Sequence, residues 1–312
     1  MVKKSAIVAI LLIVSANFIF ASGAMESKDA KTPVVVASKI DTEGALLGQM
    51  IVKMLEANGI PTEDRTEFGP TSVTRKAIAG GEIDIYPEYT GNGQFFFSSE
   101  KPEIWKNPKL GYEEVKQLDY NANKVIWLTP APANNTWAIA VRQDLALNEG
   151  LKTLEDMAAY LNKGGSFRIA CSEEFATSPA ALPAFENAYG FKLKKEQLLI
   201  LAGGNTAQTE KAASEQTDGV NAAMAYGTDG SIAAFKLLVL EDTKEVQPVY
   251  EPAPIIREDV LKMYPEIENI LKPVFLSLDL VKLQTLNGKI VVEGQDAGAV
   301  AEEYLKANNF IN

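Results

Sequence analysis

Gly81-Glu-Ile-Asp-Ile-Tyr-Pro-Glu-Tyr-Thr-Gly-Asn-Gly93 is the stretch from which the fold is most directly read. Gly80 and Gly81 mark a helix stop. From Glu82 to Tyr86 polar and apolar residues alternate, with Ile83 and Ile85 on one face, which predicts a strand. Pro87 has no N–H to donate and is expected to end the ladder. Tyr86 and Tyr89 then meet the turn formers Gly91, Asn92 and Gly93. A strand that hands aromatic and small polar residues to a loop at its carboxyl end is what an open α/β sheet presents at a ligand crevice. Taken singly, the two tyrosines fit the edge of an ordinary core equally well.

Upstream, Pro33 to Ala37 is a continuous apolar run, suited to a strand covered on both faces. Ser38 to Thr42 reads as a polar turn, with Asp41 or Thr42 able to cap the next helix. Between Glu43 and Asn58, Leu46, Leu47, Met50, Ile51, Met54 and Leu55 recur at helical spacing, and Gly59 stops the run. Thr71 is expected to cap a short helix ending at Ala79. Downstream, strands are predicted at Val125–Leu128, Thr136–Val141, Phe167–Cys171, Leu198–Leu201, Ala222–Tyr226 and Leu237–Leu240. Helices are predicted at Leu154–Leu161, Ala180–Ala188, Thr206–Glu215 and Asp229–Phe235. From Arg257 to Phe310 the pattern is helical, broken at Pro265, Pro273 and Gly288.

Two proline-marked stretches, Pro130 with Pro132 and the cluster Pro248, Pro252 and Pro254, bracket a self-sufficient βα series. They read as two crossings between lobes. The expected organisation is an α/β clamshell, with lobe 1 formed by residues 32–133 and 249–312 and lobe 2 by residues 134–248. A ligand would sit between the lobes.

At the start of the chain, Lys3 and Lys4 precede an apolar run from Ala6 to Phe20 and the small residues Ala21-Ser-Gly-Ala24. A basic start, a run of about 15 apolar residues and small residues at the cleavage point predict a secretory signal peptide over residues 1–24. No cysteine lies near the cleavage point to carry a lipid, so the expected product is a soluble protein of the periplasm.

Composition narrows the chemistry. The chain of 312 residues has no histidine, which removes histidine-based catalytic triads and the usual zinc sites. Its single cysteine, Cys171, lies in an apolar context and has no intrachain partner. A net charge of −11 disfavours nucleic acid and anionic membranes. No metal site and no cofactor is expected.

Four aromatics stand at predicted strand ends or crossings beside small or polar neighbours: Tyr89, Trp137, Tyr226 and Tyr250. Converging from both lobes, they would form a box whose π faces hold a cation, each face contributing about 0.5–2 kcal/mol. A quaternary ammonium suits such a box because it donates no hydrogen bond that a polar site could accept.

Several motifs resemble one family throughout: Ala37-Ser-Lys-Ile-Asp-Thr-Glu43, the Tyr-Pro-Glu-Tyr-Thr-Gly core at 86–91, Asn134-Asn-Thr-Trp-Ala-Ile-Ala-Val141 and Glu174-Phe-Ala-Thr177. Ala225-Tyr-Gly-Thr-Asp-Gly230 and Pro248-Val-Tyr-Glu-Pro-Ala-Pro254 continue the series. From about Val34 to Leu305 the chain is similar to the substrate-binding proteins of ABC importers for glycine betaine, choline and related osmoprotectants. The resemblance implies the type II periplasmic-binding-protein clamshell and a monomer working with membrane permease and ATPase subunits. It implies that Tyr89, Trp137, Tyr226 and Tyr250 line the ammonium cage. Asn92 and Asn135 would be polar neighbours, with Lys39 near a ligand carboxylate. Three departures stand out: Trp137 where tyrosine is common, Gly44 where glutamine is common, and Ser178-Pro-Ala-Ala181 in place of Arg-Pro-Asp-Gly. Ser178 therefore occupies the position of a carboxylate-clamping arginine.

Two other readings are open to the residues. One is an enzyme using a carboxylate pair, Asp84 with Glu88 or Glu173 with Glu174. The other is a clamshell receptor for a different small solute, such as an amino acid.

Overall fold

The computed structural model describes residues 32–98, 102–201 and 206–312; the predicted signal peptide lies outside these residues. Among the described residues, ten strands form two five-stranded sheets. In chain order they are β1 (Val34–Lys39), β2 (Thr62–Gly69), β3 (Ile85–Tyr89), β4 (Val125–Trp127) and β5 (Trp137–Arg142). The series continues with β6 (Ile169–Ser172), β7 (Leu198–Leu201), β8 (Ala222–Tyr226), β9 (Leu237–Val239) and β10 (Pro252–Arg257). The first sheet runs β2-β1-β3-β10-β4 and the second β7-β6-β8-β5-β9. Each combines parallel pairs with one antiparallel strand next to the outermost position: β10 in the first, β5 in the second. Those two strands directly follow the two passages of the chain between sheets.

Helices cover both faces of the first sheet. The Thr42–Ala57 helix begins at Asp41, whose Oδ1 accepts from the Gly44 N–H at 2.8 Å. Leu46, Leu47, Met50, Ile51 and Leu55 are fully buried against β1 and the C-terminal helices that carry Leu271, Leu283, Val300 and Leu305. The opposite face packs Ile78, Ile83, Tyr86, Val115 and Trp127. The second sheet has its own core, centred on Ile139, Met157, Ile169, Phe175 and Phe185. Cys171 lies in β6 with no exposure, and burial pushes its thiol up to about 11.

Several expectations are corrected. The strand at the opening stretch runs on through Pro87 to Tyr89, so Pro87 does not end it. Asp84 and Thr90 share backbone hydrogen bonds with Arg257 and Glu251, so by alternation Pro87, opposite Pro254, needs no N–H toward β10. The β1–β3 ladder, by contrast, stops at the Val36–Ile85 pair. Pro252 and Pro254 belong to β10 rather than to a crossing; Pro254 offers only its carbonyl, to the Leu128 N–H at 2.9 Å. Thr71 is not a cap: Pro70 holds that position with no side-chain bond. The expected helix at 180–188 starts at Leu182, after a separate turn at Glu173–Thr177. Ser231–Ala234 is the helical part of the expected 229–235 segment.

Neither Pro273 nor Gly288 breaks its helix. The Ile267–Ser277 helix buries Leu271, Val274 and Phe275 around Pro273, and that packing offsets the lost bond. Gly288 sits inside the Leu280–Val291 helix. β2 and the Pro108–Asn123 helix, which the sequence reading passed over, are largely polar. β2 is an edge strand facing water, so it carries no apolar alternation.

Candidate ligand cleft

A cavity of about 500 Å³ lies between the two sheets, at the ends of β3 and β8 and the start of β5. Six of the eight residues expected at the site line it: Tyr89, Asn92, Asn135, Trp137, Tyr226 and Tyr250. Trp137 and Tyr226 face each other across the β5–β8 pair. Trp137 is braced edge-to-face by Phe175, with centroids 6.1 Å apart and planes at 86°. The N–H of Tyr226 donates to Asp229 Oδ2 at 2.6 Å, which fixes the strand end. Tyr250 accepts from Gln94 Nε2 at 2.7 Å through its hydroxyl, and burial pushes that phenol up to about 12. Its ring lies on Gly91, where a Cβ would come within 2.7 Å of Cδ1; the small residue in the opening stretch is needed for that approach.

Tyr89 is held from two sides. Its hydroxyl donates to Glu43 Oε1 at 2.7 Å, and the ammonium of Lys39 stands 4.4 Å from its ring centroid. Burial with the Glu43 carboxylate alongside holds the Tyr89 phenol well above its usual range.

Lys39 is not on the cavity wall. Its Nζ is 2.5 Å from Glu88 Oε1, both side chains being buried. Glu88 also accepts from Tyr86 Oη (2.8 Å), the Tyr89 N–H (2.7 Å) and Asn92 Nδ2 (2.8 Å). The lysine thus joins a buried network behind the cavity wall and is not itself among the residues lining the cavity. Ser178 is also off the wall: it ends the Glu173–Thr177 helix, its N–H donating to the Glu174 carbonyl at 2.8 Å. From that loop it is Ala180 that reaches the cavity.

The sequence reading missed further wall residues: Asp41, Gln94, Phe95, Thr136, Glu174, Gln247 and Pro248. Phe95, 72 % exposed, was recoverable from the run Gln94-Phe-Phe-Phe97 beside the turn. Asp41 had a sufficient local explanation as a helix cap, and Glu174 as a solvated acid. Together they give the wall two carboxylates and, among the described residues, no basic side chain. Behind it, burial pushes Glu43 up to about 7, against the opposing effect of the hydrogen bonds it accepts.

Neither proposed carboxylate pair is arranged for acid–base work. Asp84 accepts from the Val35 N–H (2.9 Å) and pairs with Arg257 (3.2 Å), while Glu88 is taken up by Lys39. Of Glu173 and Glu174, only Glu174 reaches the cavity. Among the described residues no helix is long and apolar enough to cross a membrane.

Two sheets flanked by helices, with an aromatic cleft between them, define a two-lobe solute-binding protein of the type II clamshell class. Residues 32–307 match the model of the substrate-binding domain of ABC-type glycine betaine transport systems, and the chain belongs to that family. It is 60% identical over 277 residues to the glycine betaine-binding protein YehZ of Escherichia coli (strain K12), covering 89% of this chain and 91% of that protein. The solved structure of apo YehZ from the same organism covers 90% of this chain and 100% of its own, at 58% identity and a TM-score of 0.85. A glycine betaine/carnitine/choline ABC transporter structure, 20% identical, covers 89% of this chain and 100% of its own with a TM-score of 0.78, a likeness of fold.

Proposed function

We propose that this protein captures a quaternary ammonium osmoprotectant, glycine betaine, choline or a related betaine, outside the cytoplasm and delivers it to the permease and ATPase subunits of an ABC importer. One observation carries this reading: Tyr89, Trp137, Tyr226 and Tyr250 share a cavity wall with Asp41 and Glu174, and among the described residues no basic side chain joins them. π faces and carboxylates attract a cation, while the ammonium's methyl groups match a largely apolar wall. Residues 32–133 with 249–312, and 134–248, are the two lobes that close on it. Export through cleavage near Ala24 and action as a monomer complete the proposal. The relatives' names, which specify glycine betaine, support the solute class.

The amino-acid receptor is less well supported, because a primary ammonium gives up hydrogen bonds to water that aromatic faces do not replace. The lack of Lys or Arg among the described wall residues bears equally on any carboxylate ligand, glycine betaine included. Calorimetry with glycine betaine, choline, carnitine and a panel of amino acids tests the assignment. Saturable one-to-one binding of a quaternary amine, with no conversion of the bound compound, is expected. Tighter binding of an amino acid, or turnover, would overturn it.

A further inference from the structure

Glu43, the second residue of the Thr42–Ala57 helix, is 5% exposed and lies behind the cavity wall rather than on it. Its Oε1 accepts from the Tyr89 hydroxyl at 2.7 Å and from Asn135 Nδ2 at 3.3 Å; its Oε2 accepts from Asn287 Nδ2 at 2.7 Å. The same Asn287 nitrogen donates to the Thr228 carbonyl at 3.0 Å, and Gln284 Nε2 donates to the Gly227 carbonyl at 2.7 Å. Asn287 and Gln284 belong to the Leu280–Val291 helix, which packs on the Thr42–Ala57 helix beside the first sheet. Thr228 and Gly227 follow Tyr226 at the end of β8 in the second sheet. Where these segments meet, the backbones touch: a Cβ on Gly230 would lie 2.2 Å from the Gly288 nitrogen.

We propose that Glu43 is a positioning residue whose carboxylate ties the cage wall at Tyr89 to the contact that the Gln284–Gly288 turn makes with the other lobe. The proposal rests on the ligand-cage reading above. It makes one buried oxygen pair the junction of a cage tyrosine, a crossing residue and the bridge between sheets.

The proton inventory at this junction is finely divided. Both asparagines direct N–H groups at Glu43, and the amide oxygens of Asn135 and Asn287 are buried with no partner among the described residues. A charged Glu43 accepts from every neighbour. A protonated Glu43 becomes a donor and suits an asparagine turned over to offer its oxygen. Turning Asn287 over would also withdraw its N–H from the Thr228 carbonyl and weaken the bridge. Burial places this exchange near neutrality, with Glu43 pushed up to about 7. The charged and titratable groups around it are Asp41, which raises it further, Tyr89, and beyond that ring the Lys39–Glu88 pair. The loop from β8 continues to Asp229, and the Leu280–Val291 helix presents the neutral Gln284 and Asn287. A cation in the cage favours the charged form, so by linkage its binding expels a proton.

Choline is a suitable probe because it has no group that titrates in this range. Its affinity for the intact protein is expected to rise about five- to tenfold between pH 5.5 and 8.5. Calorimetry at pH 7 in buffers of different ionisation heat should show proton release on binding. Glu43→Gln should abolish both the slope and the release. Small-angle scattering without ligand should give a larger radius of gyration for Glu43→Gln and for Asn287→Ala than for the parent protein. An equal pH slope in Glu43→Gln, or unchanged radii in both variants, would overturn the proposal. If Glu43→Gln fails to fold, proton release by the parent protein and the radius of Asn287→Ala still decide it. If no quaternary amine binds, the cage reading fails, while the scattering comparison continues to judge the bridge.

Discussion

Trp137 and Tyr226 are direct cross-strand partners, the first residue of β5 opposite the last of β8, and both rings line the cleft. Opposite residues on one face of an antiparallel pair hold their side chains close without help from a loop. The pair is therefore a rigid wall contributed by the second sheet, with Phe175 bracing the indole. Trp137→Ala or Tyr226→Ala is expected to weaken every quaternary ammonium ligand by about 1–2 kcal/mol. Calorimetry against glycine betaine and choline checks this; a loss for one ligand only would show that the pair reads the tail rather than the cation.

Ala180, and not Ser178, stands where an arginine would face the cavity. Ala180→Arg is expected to shift the preference from choline toward glycine betaine by about 1–3 kcal/mol, through a charge-assisted bond to the carboxylate. Ser178→Arg should produce a smaller shift. Competition between the two ligands in each variant measures the ratio directly, and an equal response would place both positions on the wall.

Lys39 and Glu88 form a buried ion pair whose acid is further bonded to Tyr86, Tyr89 and Asn92. Lys39→Met leaves that carboxylate without its cation and is expected to cost about 3–5 kcal/mol of stability. The double change Lys39→Met with Glu88→Gln should recover much of the loss. Urea unfolding of the three proteins tests this. Because Lys39 does not line the cleft, the double variant should keep the betaine-to-choline ratio of the parent.

Glu210 is fully buried in the Thr206–Ser214 helix. Burial, with Asp229 nearby, pushes it up to about 10. In the unfolded chain it releases its proton above about 4.5, while the folded protein retains it until about 10. Folded molecules then bind more protons than unfolded ones, so this group makes stability fall as pH rises through that window, by about 1.4 kcal/mol per unit. Glu43 adds a slope of the same sign that ends near 7. Glu210→Gln should flatten the dependence above pH 7 and stabilise the protein there. Denaturation midpoints from pH 5 to 9 provide the measurement, and an unchanged slope in the variant would refute it.

The opening stretch shows how much of this was legible locally. Alternation at Ile83 and Ile85 placed a strand at Glu82–Tyr86, which overlaps β3 only at Ile85 and Tyr86, and the glycines after Tyr89 marked the bend that brings Asn92 and Gln94 to the cleft. Pro87 was misjudged because a missing N–H matters only on the side where a neighbour needs it, and β10 is contributed by residues 252–257. β2 escaped notice for a related reason. Its residues answer to an edge position that exists only once the sheet is assembled.

The sequence by itself determined the α/β alternation, the four aromatics, the absence of histidine and the motifs of the family. These are properties of composition and short-range periodicity, which a chain carries before it folds. The tertiary structure decided which side chains line the cleft. It placed Lys39 against Glu88, left Ser178 off the wall, brought Asp41 and Glu174 onto it, and buried Glu43 behind Tyr89. Each outcome depends on partners 40 or more residues away or on the path of a loop. The energy of a buried charge is set by such neighbours and by exclusion of water, neither of which is written in local sequence.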